Sequence, residues 1–120
     1  MQTVVEMATF QKSASQAGMT DLEVVALIDY LALNPDAGEE IRGTGGCRKV
    51  RVAGRGKGKS GGYRVITFFT GPDLPLFLLY AYSKGDRDDL SGDQRNELHA
   101  LTKQLVNAYR AKKVSIRRVR

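Results

Sequence analysis

The sequence predicts an α+β fold, with N-terminal helices, an antiparallel meander of strands and a C-terminal helix laid on the sheet. Three observations carry this. Apolar residues recur at helical spacing before residue 34 and again after residue 91, while the chain between residues 48 and 82 holds three segments of strand character. Tight or glycine-rich turns join those three segments, too short for the crossovers of a doubly wound sheet.

In chain order, Val4 and Val5 suggest a short first strand, and segment 8–17 reads as a helix stopped by Gly18, a natural left-handed end. Thr20 and Glu23 form a T-x-x-E capping box that opens a second helix. Its predicted inward face is Leu22, Val25, Ile28 and Leu31, and Asn34-Pro35 ends it. Residues 38–46 read as a loop, with Gly43, Gly45 and Gly46 freeing the backbone. Arg48-Lys49-Val50-Arg51-Val52 then alternates basic and apolar residues. This is a half-buried strand that sends Val50 and Val52 to a core and puts Lys49 and Arg51 on the other face.

Residues 54–62 are a long Gly, Lys and Arg connection, followed by an aromatic and β-branched strand over 63–70 and a turn at Gly71-Pro72-Asp73. The third central strand covers 76–82, with Tyr80, Tyr82 and Lys84 on one face if the pleat continues. Ser91 and Gln94 make a second capping box, and Leu98, Leu101, Leu105 and Tyr109 form the stripe that should lie on the sheet. Residues 1–111 make a single domain. The tail 112–120 has five positive charges and no acid, and is expected to stay loose until something anionic orders it.

A chain of 120 residues supports one modest core and one site. Nineteen Lys and Arg against 13 Asp and Glu give a net charge of +6, which makes nucleic acid the first partner to consider. The single cysteine excludes an internal disulfide and a cysteine metal cage, as expected of a cytoplasmic protein. Residues 1–10 lack a signal-peptide pattern, and no run approaches the roughly 18 apolar residues of a membrane span.

The stretch from Ala53 to Ser60 loosely matches a phosphate-binding P-loop, but a strand follows it where that motif needs a helix. A plain hairpin connection and a basic finger of Arg55, Lys57 and Lys59 for a nucleic-acid backbone are the better readings, the second preferred. His99, flanked by Leu98 and Leu101 with no second ligand at metal spacing, reads as structural. Arg48 and Lys49 could activate Cys47, yet no Cys-His pair is evident, and a buried small hydrophobe is preferred. Asp86, Asp88 and Asp89 alternate with Lys84 and Arg87, which would repel a metal, so they read as a turn and helix lead-in.

With one histidine, RNA cleavage by a histidine pair is excluded, and cations must do the work. Attack of a ribose 2′-hydroxyl on the adjacent phosphate needs a deprotonated nucleophile, neutralised charge on the phosphorane and a stabilised 5′-oxygen. Lys and Arg supply the second need directly. A lysine crowded by other cations can also serve as a base. Lys49, Arg51, Arg64 and Lys84 offer such crowding, Tyr80 or Tyr82 could stack on a base, and Arg48 adds to the RNA-binding charge.

The residues Cys47-Arg48-Lys49-Val50-Arg51-Val52, then Gly62-Tyr63-Arg64-Val65-Ile66, then Tyr82-Ser83-Lys84-Gly85-Asp86 leading to Asp89-Leu90, resemble the RelE/ParE toxin superfamily. The string from Gly43 to Arg51, with Gly56 to Gly62 following, is more narrowly similar to HigB-type toxins. The resemblance covers roughly residues 20–105 and implies helices against a curved antiparallel sheet, the RelE-like fold. It further implies mRNA cleavage in the ribosomal A site without metal or cofactor, silencing by a helix-turn-helix, HigA-like antitoxin, and operator DNA bound only through that complex.

By matching position, Lys49 and Arg51 stand where family members place lysines that activate the 2′-hydroxyl and support the phosphate. Arg64 stands where an arginine stabilises the phosphorane. The later family arginine meets Gly85, with Lys84 beside it as a substitute, and the C-terminal catalytic tyrosine falls near Ser91, so that Tyr82 or nothing replaces it. The sequence reading is therefore a ribosome-dependent endoribonuclease toxin. A ParE-like gyrase inhibitor without nuclease activity is the alternative.

Overall fold

The structure, a computed structural model, describes residues 1–54, 62–83 and 90–118, with side chains as far as residue 110. The elements are β1 (Val4–Glu6), α1 (Ala8–Ala17), α2 (Asp21–Leu33), β2 (Glu39–Glu40), β3 (Cys47–Val52), β4 (Tyr63–Phe68), β5 (Leu76–Ser83) and α3 (Gly92–Arg118). One five-stranded sheet in the order β1-β5-β4-β3-β2 carries α1 and α2 on one face and α3 on the other. The α+β architecture expected from the sequence is present, with a mixed rather than wholly antiparallel sheet. β3, β4 and β5 form the antiparallel meander, and β1 joins its outer edge parallel to β5.

Both capping boxes form. Thr20 Oγ1 accepts from the Glu23 N–H at 3.1 Å while the Glu23 carboxylate accepts from the Thr20 N–H at 2.9 Å. Ser91 and Gln94 repeat the exchange at 3.1 and 2.9 Å, so two otherwise orphaned amides are satisfied at each helix start. Gly18 ends α1 with φ of +89°, the left-handed stop expected from the sequence.

The inward face of α2 differs from expectation. Leu27 and Leu31 are buried with Val24 and Ile28 packed beside them, whereas Leu22 and Val25 are 69% and 54% exposed. The cause is visible in the helix itself. Ten of its thirteen residues are apolar, so several 3.6-residue stripes fit equally well and periodicity cannot select one. Two further differences concern boundaries. Glu39 and Glu40, expected in a loop, pair with Lys49 and Arg48 as β2, where opposite charges face each other across the ladder. α3 continues to Arg118 instead of giving way to a loose tail after Ala111. The sequence over 111–118 has no glycine or proline, and five of its eight residues are Ala, Lys or Arg, all good helix formers.

Alternate residues of the sheet build two cores. Val50, Tyr63, Val65, Leu76, Leu78 and Ala81 pack with Phe10, Ala14, Leu27 and Leu31 of α1 and α2. Cys47, Ile66, Phe68, Phe77 and Leu79 pack with Leu98, Leu101, Leu105 and Tyr109 of α3. Phe77 is central to the second core, 6.2 Å from Phe68 in a stacked arrangement and 5.2 Å from Tyr109 edge to face. The expected α3 stripe is the one used. At Gly45 the loop before β3 comes so close to α3 that a Cβ would lie 2.8 Å from Thr102 Oγ1, and φ is +79°, so glycine is required on both counts.

One irregularity sets the site. Ile66 pairs with Tyr80 but Thr67 pairs with Leu78, so β5 carries one extra residue, Leu79, at a bulge. The bulge places Leu79 and Tyr80 both on the α3 side, and Tyr82 follows there while Ala81 turns to α1. α1 pins this stretch. Thr9 Oγ1 donates to the Leu79 carbonyl at 2.7 Å, and the Ala81 N–H donates to Ser13 Oγ at 2.9 Å.

Candidate nucleic-acid site

On the α3 side of the sheet, two rows run across three strands. Arg51 lies opposite Arg64, which lies opposite Tyr82; one pair further along, Lys49 lies opposite Ile66, which lies opposite Tyr80. Strand pleating puts these six side chains on one face because all occupy alternate positions of their strands and the bulge corrects the parity of β5. α3 covers the other half of this face, over Phe68 and Phe77, and leaves the Arg51 end outside its packed stripe.

The cations differ in exposure. Arg51 is exposed and Lys49 half-buried, while Arg64 is only 9% exposed and donates through Nη1 to the Tyr63 carbonyl at 3.3 Å. A guanidinium that is mostly buried is held in one place by the strands around it. Facing Arg51 across the ladder, it forms a like-charge pair, which costs a sheet a few tenths of a kcal/mol or more and is relieved by an anion between the two. Tyr80 and Tyr82 flank the row with ring centroids 6.3 Å apart, Tyr82 almost fully buried and Tyr80 half-exposed. The arrangement is suited to holding a phosphate against Arg51, Arg64 and Lys49 with an aromatic surface alongside.

Of the residues singled out in the sequence, Lys49, Arg51, Arg64, Tyr80 and Tyr82 are brought together on this face. Arg48 is not. It pairs with Thr67 on the α1/α2 side and donates to the Gly38 carbonyl at 3.1 Å, so its charge is turned away from the row. Lys84, Arg55, Lys57 and Lys59 lie outside the described residues, as do Asp86, Asp88 and Asp89. Glu39 was missed by sequence reasoning. Its place opposite Lys49 puts a carboxylate at the border of the cationic row, and the signal for it is the acidic pair nine residues before the basic strand.

The other sequence candidates fall elsewhere. Cys47 is fully buried, and desolvation pushes its thiol up to about 11 despite the opposing hydrogen bond with Thr44, so Arg48 and Lys49 do not activate it. His99 stands exposed beside Gly45, at the end of α3's contact with the loop and away from the Arg51 row. Among the described residues no group of three or more His, Cys, Asp and Glu side chains could hold a metal ion, and no helix is long and apolar enough to cross a membrane.

Residues 2–117 match the family model described as RelE toxin of RelE / RelB toxin-antitoxin system.

Proposed function

The chain belongs to the RelE toxin family and is the toxin of a toxin–antitoxin system, and from that premise we propose that it is a HigB-type, ribosome-dependent mRNA endonuclease. It acts in the cytoplasm on mRNA in the 70S ribosome and is silenced by a helix-turn-helix antitoxin of HigA type, operator DNA being bound only through that complex. The observation that carries the reading is the Arg51–Arg64 like-charge pair beside Lys49 on a face that α3 leaves half uncovered. A sheet keeps such a pair at a cost in stability, and an RNA phosphate returns that cost.

In this reading the 2′-hydroxyl of the nucleotide before the scissile bond attacks the phosphorus while the chain's own cations carry the charge. Arg64, fixed by burial and by the Tyr63 carbonyl, faces the phosphorane oxygens, because a preorganised donor stabilises developing charge without reorganising. On the neighbouring strand Lys49 takes up the 2′-hydroxyl proton as general base while Arg51 supports the phosphate. Lys84 stabilises the departing 5′-oxygen. Tyr82 and Tyr80 line the site, and Arg55, Lys57 and Lys59 hold the RNA backbone.

The test is Arg64→Ala, expressed on induction and checked for folding by thermal melting. Growth inhibition and cleavage of translated mRNA, mapped by primer extension, should fall by on the order of 10² to 10³. A folded Arg64→Ala protein that still arrests growth and still cuts mRNA removes Arg64 from the mechanism.

A further inference from the structure

One element is covered on fewer faces than its sequence provides for. Ten of the thirteen residues of α2 are apolar, and a helix that is apolar all round is normally covered all round. Its Leu27 and Leu31 face lies on the sheet, while its outer face is open to solvent. There Leu22, Val25, Tyr30 and Leu33 are 69%, 54%, 52% and 70% exposed, and among the described residues Met1 is the one other large apolar side chain left so. We propose that this outer face, with the groove between α2 and the open edge of β3, is the docking surface for the antitoxin, and that it takes an amphipathic helix carrying a basic residue opposite Asp29. The proposal rests on the chain being the toxin of a toxin–antitoxin system and extends that reading to where the partner sits.

Helix geometry supplies the first argument. Leu22, Ala26 and Tyr30 stand four apart, as do Val25, Asp29 and Leu33, and all six are exposed. They form two parallel ridges of the kind between which a second helix lays its own side chains. From Leu22 to Leu33 the ridges run for about 16 Å, three helical turns. Beside the first ridge the surface dips into two clefts of about 320 and 330 Å³, where Ala26 and Tyr30 meet Val50, Val52 and Ala53 at the end of β3. β2 pairs with Lys49 and Arg48 and goes no further, so no strand closes this groove along Val50 to Val52. Arg51 lines the same cleft, and a helix seated there stands at the rim of the cationic row.

Charge selects the occupant. Residues 13–41 carry Asp21, Glu23, Asp29, Asp36, Glu39 and Glu40 and no Lys or Arg, in a chain whose net charge is +6. RNA would be repelled by this region. Asp29 stands in the middle of an apolar ridge, and a carboxylate covered there without a cation beside it is costly. A second copy of the chain is a poor match. A symmetric pair of α2 helices would bring two Asp29 carboxylates towards each other, and an asymmetric pair needs a second exposed apolar patch, which the described residues lack. A strip about 16 Å long and one helix wide also falls short of the roughly 800 Å² that each partner of a stable complex buries. It suits one helix of a partner that makes further contacts elsewhere. The antitoxin is the protein partner that membership of this family brings.

The test titrates the purified full chain with its purified cognate antitoxin by calorimetry, beside growth assays with the two coexpressed. A double variant, Leu22→Glu with Leu33→Glu, changes two exposed positions away from the cationic row. Its thermal melting and its growth arrest should match wild type, while Kd for the antitoxin rises by about 100-fold and coexpressed antitoxin no longer restores growth. Asp29→Lys leaves the apolar ridges intact and should weaken binding by about tenfold at low salt and by less at high salt. If the double variant does not fold, Asp29→Lys alone decides. Unchanged affinity in the folded double variant overturns the docking surface and leaves the toxin reading intact. Equal or tighter binding by Asp29→Lys overturns the basic occupant. Lost growth arrest with antitoxin binding retained assigns the face to the toxin's target, and a wild-type dimer that the double variant makes monomeric assigns it to a second copy; either overturns the proposal. A wild type that neither arrests growth nor binds antitoxin overturns the toxin reading as well.

Discussion

Strand β4 meets two different surroundings on its alternate residues. Tyr63, Val65 and Thr67 face α1 and α2, where Phe10, Leu27 and Leu31 seal them from end to end. Arg64, Ile66 and Phe68 face the other way, where α3 packs over Ile66 and Phe68 and leaves Arg64 beyond its apolar stripe. One side of the sheet is finished as a core, and the other grades from core to cation along a single strand. Placing the site at the end of a packed strand gives its cations a rigid support that a loop would lack, and the sealed face supplies the stability that a like-charge row takes away.

The largest expected contrast between the faces is in what their residues do when removed. Arg51→Ala should slow mRNA cleavage by about 10²-fold while leaving thermal stability within about 0.5 kcal/mol or raising it, because a repulsive cross-strand partner has gone. Cleavage rate and denaturant midpoint measured on one preparation decide this, and a variant that loses both together would make the row structural.

Leu31→Ala, on the sealed face, should do the reverse and cost about 2 to 5 kcal/mol of stability in denaturant unfolding, since Leu31 is fully buried between α2 and the sheet. A third contrast is in pH. The Cys47 thiol is raised from 9.0 to about 11 in the folded chain, so the folded state holds a proton that the unfolded state releases first. Its contribution is complete below pH 9 and is lost as pH rises toward 11, a fall of roughly 2 to 3 kcal/mol. Burial also raises the Tyr63 hydroxyl, helped by Glu23, and this acts in the same direction at higher pH. Cys47→Ala should flatten the decline in unfolding free energy between pH 9 and 11; an unchanged slope would assign the alkaline loss to other groups. The smallest effect belongs to Leu22, which the helical pattern put inside and the structure leaves 69% exposed. Leu22→Ala should change stability by less than about 0.5 kcal/mol, and a cost like that of Leu31→Ala would contradict its exposure.

Much of the fold was legible because local signals and tertiary structure agree. The two capping boxes, the Gly18 stop, the alternation at Lys49 to Val52 and the α3 stripe each depend on neighbours in sequence. What was not legible depends on partners far away. The parallel pairing of β1 joins residues more than seventy apart, and β2 is two residues long and exists through its pairing with β3. The inward stripe of α2 is chosen by the sheet beneath it. In the site, the shared face of Lys49 and Arg51 follows from pleating alone, but Arg64 joins it through the register of β3 with β4, and the tyrosines only through a bulge with no glycine to mark it. Arg48, expected to add to the RNA-binding charge, shares the parity of Val50 and Val52 and turns away to the Gly38 carbonyl.

In the proposed mechanism the toxin's cationic row cuts RNA. The most direct measurement incubates purified wild-type and Arg64→Ala protein with 70S ribosomes programmed with mRNA, with a gyrase supercoiling assay run on the same preparations. The wild type should cut at the A site only in the presence of ribosomes, Arg64→Ala should be slower by on the order of 10² to 10³, and supercoiling should be unaffected. Intact mRNA together with loss of supercoiling would contradict this mechanism and make the row a surface for binding gyrase.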